Sequence, residues 1–159
     1  MASATTPCKT CGSETKDTTL GSFRGEAGPV AVIVSGMPAR VCASGHKRLL
    51  SRGFVARLTG LVADAEAVAP QPPATRRGLF SKRYHCHGCD AELPVTPAKK
   101  SERVLDATFK NLAPFKVIVQ VALHKCEGCG AEQVLSNKDV ADNAAKALAH
   151  GIRAEDIHP

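Results

Sequence analysis

Cys86-His87-Gly88-Cys89-Asp90 and Cys126-Glu127-Gly128-Cys129-Gly130 decide how this chain is read. They are two Cys-x-x-Cys turns with thirty-six residues between the inner cysteines. Such a turn presents two sulfurs from one tight loop, and four thiolates complete the tetrahedral shell that Zn²⁺ prefers. Glycine inside or just after the turns (Gly88, Gly128, Gly130) suits backbone that curls close around sulfur. A closed four-sulfur shell leaves no position for a substrate water, so Cys86, Cys89, Cys126 and Cys129 read as a structural site. A pair of redox dithiols would want a βαβ setting, which neither turn shows.

The same plan stands upstream. Cys8-Lys9-Thr10-Cys11-Gly12 opens a first unit, Pro29-Val30-Ala31-Val32-Ile33-Val34 runs through its middle, and Cys42-Ala43-Ser44-Gly45-His46 closes it. The second unit likewise runs through Pro114-Phe115-Lys116-Val117-Ile118-Val119 before its closing turn. β-branched runs of this length read as strands. Cys42 has no cysteine three residues on, but His46 lies one residue further, and Cys-x₃-His is compatible with a Cys₃His shell. The competing reading starts a helix at His46 and gives the fourth position to water. His85, His87 and His124 crowd the second site and read as hydrogen-bonding neighbours of its thiolates. His150 and His158 read as surface residues.

Each unit is followed by a helical pattern. Leu49, Leu50, Phe54, Leu58, Leu61 and Val62 recur on one helix face, although Gly53 and Gly60 weaken it. Ser136 and Asp139 form a Ser-x-x-Asp start, Val140, Ala144, Ala147 and Leu148 follow as an apolar face, and Gly151 is a plausible stop. Pro70, Pro72 and Pro73 stiffen the connector. Residues 96–112 fit either a helix face, through Val104, Leu105, Thr108, Phe109 and Leu112, or a long hairpin. The expected fold class is small α+β, metal-stabilised: two zinc-ribbon β-hairpin modules, each with a trailing helix. Residues 1–66 form the first, 67–84 a basic Pro-rich linker, and 85–159 the second.

Composition supports a metal-stapled chain. In 159 residues there are seven cysteines, no Trp and only 4% aromatics, which is thin material for two self-sufficient cores. No stretch nears the roughly 18 apolar residues of a membrane span, and the first residues lack a hydrophobic signal region. Thiols kept reduced for metal then point to the cytoplasm. The net charge of +6 is uneven: residues 1–62 hold eight Lys/Arg against three acids, residues 104–159 six against seven. Arg40, Lys47, Arg48, Arg52 and Arg57 in the first unit, with Arg76, Arg77, Lys82 and Arg83 in the linker, are the candidate contacts for nucleic acid or an acidic partner.

Cys8-x-x-Cys11-Gly12, the Phe23-Arg24-Gly25 segment and Val32-x-Val34-x-Gly36-Met37-Pro38-Ala39-x-Val41-Cys42 resemble the YgiT-type zinc finger. The resemblance covers residues 7–50. It implies a two-stranded hairpin between cysteine knuckles and zinc ligation by Cys8, Cys11 and Cys42. The family places its fourth cysteine where this chain has Gly45, and His46 is the replacement. The module is best known as the zinc-binding half of MqsA-type antitoxins, whose DNA-binding helix-turn-helix half is replaced here by the second ribbon.

Two structural Zn²⁺ ions, no catalytic residues and a binding role follow as the expectation. A protein–protein adaptor or regulator, antitoxin-like, is the leading reading, and a nucleic-acid-associated factor is the alternative. An enzyme using an open first site is the weakest, because no Ser-His-Asp grouping, Gly-rich phosphate loop or His-Glu-x-x-His motif appears.

Overall fold

The two β-branched runs pair with each other. In the computed structural model, which describes residues 5–69, 72–80 and 82–159, Val32, Ile33 and Val34 stand opposite Val119, Ile118 and Val117 in an antiparallel register. The sequence reading of Pro70, Gln71 and Ser81 within the linker lies outside the described residues, as do residues 1–4.

In chain order the elements are β1 (Thr15–Thr19), β2 (Phe23–Ala27), β3 (Val30–Ser35), β4 (Pro38–Cys42), β5 (Lys47–Arg48), α1 (Arg52–Val62) and α2 (Ala65–Val68). They continue with β6 (Thr75–Arg77), β7 (Arg83–His85), β8 (Lys99–Ala107), β9 (Phe115–Lys125), β10 (Glu132–Gln133), α3 (Asn137–Ala154) and β11 (Ile157–His158). β3 and β9 lie side by side, with hairpin partner β2 beyond β3, while β8 and β10 both pair with β9. A second sheet, ordered β1-β4-β5-β11, carries the first Cys/His unit, and β6–β7 is a small hairpin of its own.

Strand period decides what this sheet buries. Val30, Val32 and Val34 face the core together with their partners Val121, Val119 and Val117, while Ile33 and Ile118 are only half-buried on the other side. The helices then cover the inner face crosswise. α3, from the second half, packs on β2 and β3 of the first half. α1, from the first half, sends Phe54 against Phe109 and Phe115 of the second, with ring centroids 5.3 and 6.1 Å away. Phe54, Leu58 and Val62 form the buried stripe of α1, and Ser51 caps it by accepting from the Phe54 N–H.

The structure therefore departs from the expected division at residues 66 and 85. One hydrophobic core takes in β2, β3, α1, α2, β9 and α3. The physical reason is the one composition hinted at: neither half has enough apolar surface to close a core alone, and pooling them closes one. The linker is stitched in as well. Val68 and Ala69 belong to the core, the Ala74 N–H donates to the Val134 carbonyl, and Thr75–Arg77 is a strand. Residues 96–112 resolve as a hairpin arm, with Leu105 turned toward the core and Val104 outward at 57% exposure.

Gly151 does not stop α3, which runs on to Ala154. It is buried against β2, and at Gly25 a Cβ would lie 1.8 Å from the Ala147 carbonyl oxygen. Both glycines are there to let strand and helix backbones touch. Ser136 does begin the helix, its hydroxyl accepting from the Asp139 N–H. No helix among the described residues is long and apolar enough to cross a membrane.

Candidate metal centres

Because β3 and β9 run antiparallel, the chain leaves them at opposite ends, toward Cys42 at one and Cys126 at the other. Two groups of four result: Cys8, Cys11, Cys42 and His46, and Cys86, Cys89, Cys126 and Cys129. Within each group the ligand atoms all lie within 4.8 Å of one another, so each group can hold one metal ion.

Three of the four loops are built alike. The N–H of Cys8, Cys86 and Cys126 donates to the carbonyl of the residue five positions on, and the N–H of the fourth residue on returns to the cysteine carbonyl. That fourth residue is left-handed in each: Gly12 at φ 73°, Asp90 at 64° and Gly130 at 77°. The loop from Cys42 is one residue tighter. Cys42 N–H donates to the His46 carbonyl, Gly45 N–H returns to Cys42, and Gly45 takes the left-handed position at φ 86°. A cysteine at position 45 would be strained there, so histidine at 46 is what this loop geometry accommodates.

At the first centre the His46 Nδ1 lies 3.4 Å from Cys42 Sγ and 3.7 Å from Cys8 Sγ, and the sulfurs of Cys11 and Cys42 are 3.7 Å apart. At the second, Cys86 and Cys129 sulfurs are 3.5 Å apart and those of Cys89 and Cys126 3.4 Å. Disulfide sulfurs would sit at about 2 Å, so these are clustered thiols. In both centres two ligands are buried and the others reach toward solvent.

At each centre a local donor favours thiolate at one cysteine, while the neighbouring sulfurs of the second centre push the Cys89 and Cys129 thiols up. Ser13, whose Oγ is 3.3 Å from Cys11 Sγ, brings the Cys11 thiol down to about 5. At the second centre the Gln133 side chain does the same for Cys86, bringing it to about 6. Gln133 is fully buried, donates from Nε2 to Cys86 Sγ at 3.3 Å, and accepts from the N–H and Nδ1 of His87 at 2.9 Å each. The sequence reading missed it, since a glutamine after a knuckle looks like any surface residue. The histidines it named as thiolate neighbours do something else. His85 donates to the Asp90 carbonyl, His124 to the Pro94 carbonyl, and His87 reaches the sulfur only through Gln133. His150 and His158 are exposed, as expected.

The basic candidates divide. Arg40, Arg48 and Arg52 line one cleft together with Lys9. Lys47 is taken up by Glu155, through both its carbonyl and its carboxylate, and Arg57 lies 5.5 Å from the Phe109 ring centroid. Arg76, Arg77, Lys82 and Arg83 surround the tip of the β6–β7 hairpin, where only Arg77 has an acidic partner, Asp90, among the described residues. Comparison with protein-family models, with curated proteins and with solved structures gives no match.

Proposed function

We propose that this protein is a non-catalytic adaptor or regulator, in which two structural Zn²⁺ ions hold surfaces for a protein partner. Zinc is favoured by the donor sets. A tetrahedral shell with Zn–S of about 2.3 Å and Zn–N of about 2.0–2.1 Å spaces sulfurs by about 3.8 Å and sulfur from nitrogen by about 3.5 Å. The shortest separations, 3.4 to 3.7 Å, lie close to both, and every other pair within a group falls within 4.8 Å. Four protein ligands per ion leave no open position, which is the mark of a structural site. Reduced thiols for both centres fit the cytoplasm, and the YgiT-type resemblance of residues 7–50 fits a regulator that docks on another protein.

The observation that carries the docking role is the β6–β7 tip. Leu79 and Phe80 are 92% and 102% exposed, an adjacent apolar pair left wholly in water. Cations flank them on both strands, and Arg77 stands directly opposite Arg83. An aromatic anchor within a charged rim is the anatomy of an interface hot spot. The matching partner surface is an apolar pocket ringed by acids. Nuclease-treated native lysate, passed over tagged zinc-loaded protein, should yield one stoichiometric protein partner. The Leu79→Ser/Phe80→Ser variant should lose it while keeping two zinc ions. Retention of the partner by that variant would end this reading.

The facing Arg77–Arg83 pair, with Phe80 between its strands, also favours a second reading, docking on nucleic acid through phosphates and one stacking ring. That reading requires binding to oligonucleotides that weakens steeply with salt.

A further inference from the structure

Beside the first metal centre lies a cleft of about 280 Å³ whose lining includes Lys9, Arg40, Arg48 and Arg52 together with Thr6 and Ser51. No Asp or Glu lines it among the described residues, and Pro159, the last residue of the sequence, does. Arg40 and Arg48 are cross-strand partners of β4 and β5, so two guanidinium groups project from directly opposite positions. Like charges in that relation oppose strand pairing. Asp17 relieves one of them, bonding Arg40 Nε at 3.2 Å. Arg48 gives one N–H to the terminal oxygen of Pro159 at 2.9 Å, and its Nε finds no acceptor. Four cations thus line one concavity; Asp17 engages Arg40 and the terminal oxygen of Pro159 engages Arg48, which leaves Lys9 and Arg52 without an acidic partner among the described residues.

We infer that this cleft is a binding site for the phosphate monoester of a small molecule. A phosphate monoester carries about −1.5 to −2 charge at pH 7 on oxygens that suit the forked donors of arginine. The volume stands near the lower end of small-molecule sites, about 300–1,000 Å³. A polymer backbone would ask for a track of cations, whereas these line a single cleft. The Thr6 and Ser51 hydroxyls and the first turn of α1 add neutral donors at the rim. The site is separate from the β6–β7 tip, so it goes beyond the docking role and does not rest on it.

The test titrates the zinc-loaded full chain at low salt with inorganic phosphate and with uridine monophosphate, followed by calorimetry. The expected result is saturable one-to-one binding that Arg52→Ala and Lys9→Ala each weaken by about tenfold or more. Arg57→Ala, on the same helix but outside the cleft, leaves it unchanged, and all three variants keep their zinc. Three results would overturn the inference. One is the absence of saturable binding by either phosphate up to about 10 mM. Another is an equal loss in Arg57→Ala, which would reduce the effect to net charge. The last is displacement by an oligothymidylate without terminal phosphates at equal phosphate concentration, which would make the cleft part of a polymer track.

Discussion

The second metal centre is fastened into the protein from several sides, and the first is held by its own loops and a borrowed strand. Around the second, Ala74, Leu93, Cys86 and Cys126 form a small buried cluster with Tyr84, Ala91, Ala131 and Leu135 packed on it, and buried Gln133 reaches a sulfur. Among the described residues the first has no apolar cluster of its own. Its sheet is completed by β11, whose Ile157 pairs in parallel with Lys47, and by the Lys47–Glu155 ion pair from the far end of the chain. Two centres of similar donor chemistry therefore depend on different neighbours. The second leans on packing, the first on long-range backbone pairing.

Removing both metals is the harshest way to break that comparison. Structural zinc contributes apparent binding energies of about 10 kcal/mol or more in small folds, against about 5–15 kcal/mol for a whole domain. Because the two halves share β3–β9 and exchange helices, chelation should unfold the chain in one transition by circular dichroism. Two resolved transitions would restore the two-module picture.

The shared core can be attacked without touching metal. Phe54→Ala removes the ring that bridges α1 to Phe109 and Phe115 and should cost about 3–5 kcal/mol. Gly25→Ala should cost about 3 kcal/mol, since its new methyl meets helix backbone that cannot yield. Gly60→Ala is the control: nothing lies within 4 Å of its added carbon, so helix propensity should stabilise by up to about 1 kcal/mol. Urea midpoints check all three. A neutral Gly25→Ala would mean that α3 does not sit on β2.

These expectations also show what the sequence could and could not convey. The two clusters of Cys and His were legible because Cys-x-x-Cys spacing is local chemistry, and the strands were legible because Val-Ile-Val runs have a local period. Which strand pairs with which was not. The runs around Ile33 and Ile118 look alike, and each could have closed on its own hairpin. Only the tertiary accounting, with too little apolar surface per half, makes them partners. Gly151 misled for the same reason: a glycine late in a helix reads as a stop until the strand it faces is known. The fork at residues 96–112 turned on Val104 and Leu105, adjacent apolar residues that suit a helix face but in a strand point to opposite sides.

At the first centre His46→Ala should lower zinc affinity by about a hundredfold or more, with water taking the fourth position. Adding Gly45→Cys, the spacing of the YgiT-type family, should not rescue it, because position 45 sits at φ 86° and a side chain there is strained. Competition against a chelator reads both. Full rescue would show that the loop can relax to the three-residue spacing. Unchanged affinity in His46→Ala would place the fourth ligand elsewhere and reopen the catalytic reading.

The smallest effect belongs to the residue that most distinguishes the second centre. Gln133 donates to Cys86 and accepts twice from His87. The donated N–H stabilises the thiolate, which is why Cys86 is held near 6. Gln133→Leu keeps the volume but removes donor and acceptor together. Zinc affinity at the second centre should fall by about tenfold, the lower end of what outer-sphere partners contribute to a metal site. The sign of the pH effect follows. Without the donor the Cys86 pKa rises, protons compete for the sulfur at higher pH, and on acidification the variant should release its second metal before the wild type does. Gln133→Glu, though closer in shape, sets a carboxylate against the sulfur and should be worse than leucine. Metal release during an acid titration, with alkylation of the cysteines to identify the centre, separates the cases. If glutamate behaves as wild type and leucine does not, Gln133 serves through its oxygen and His87. If all three proteins coincide, the two centres differ only in packing, and the buried amide has no part in tuning the metal.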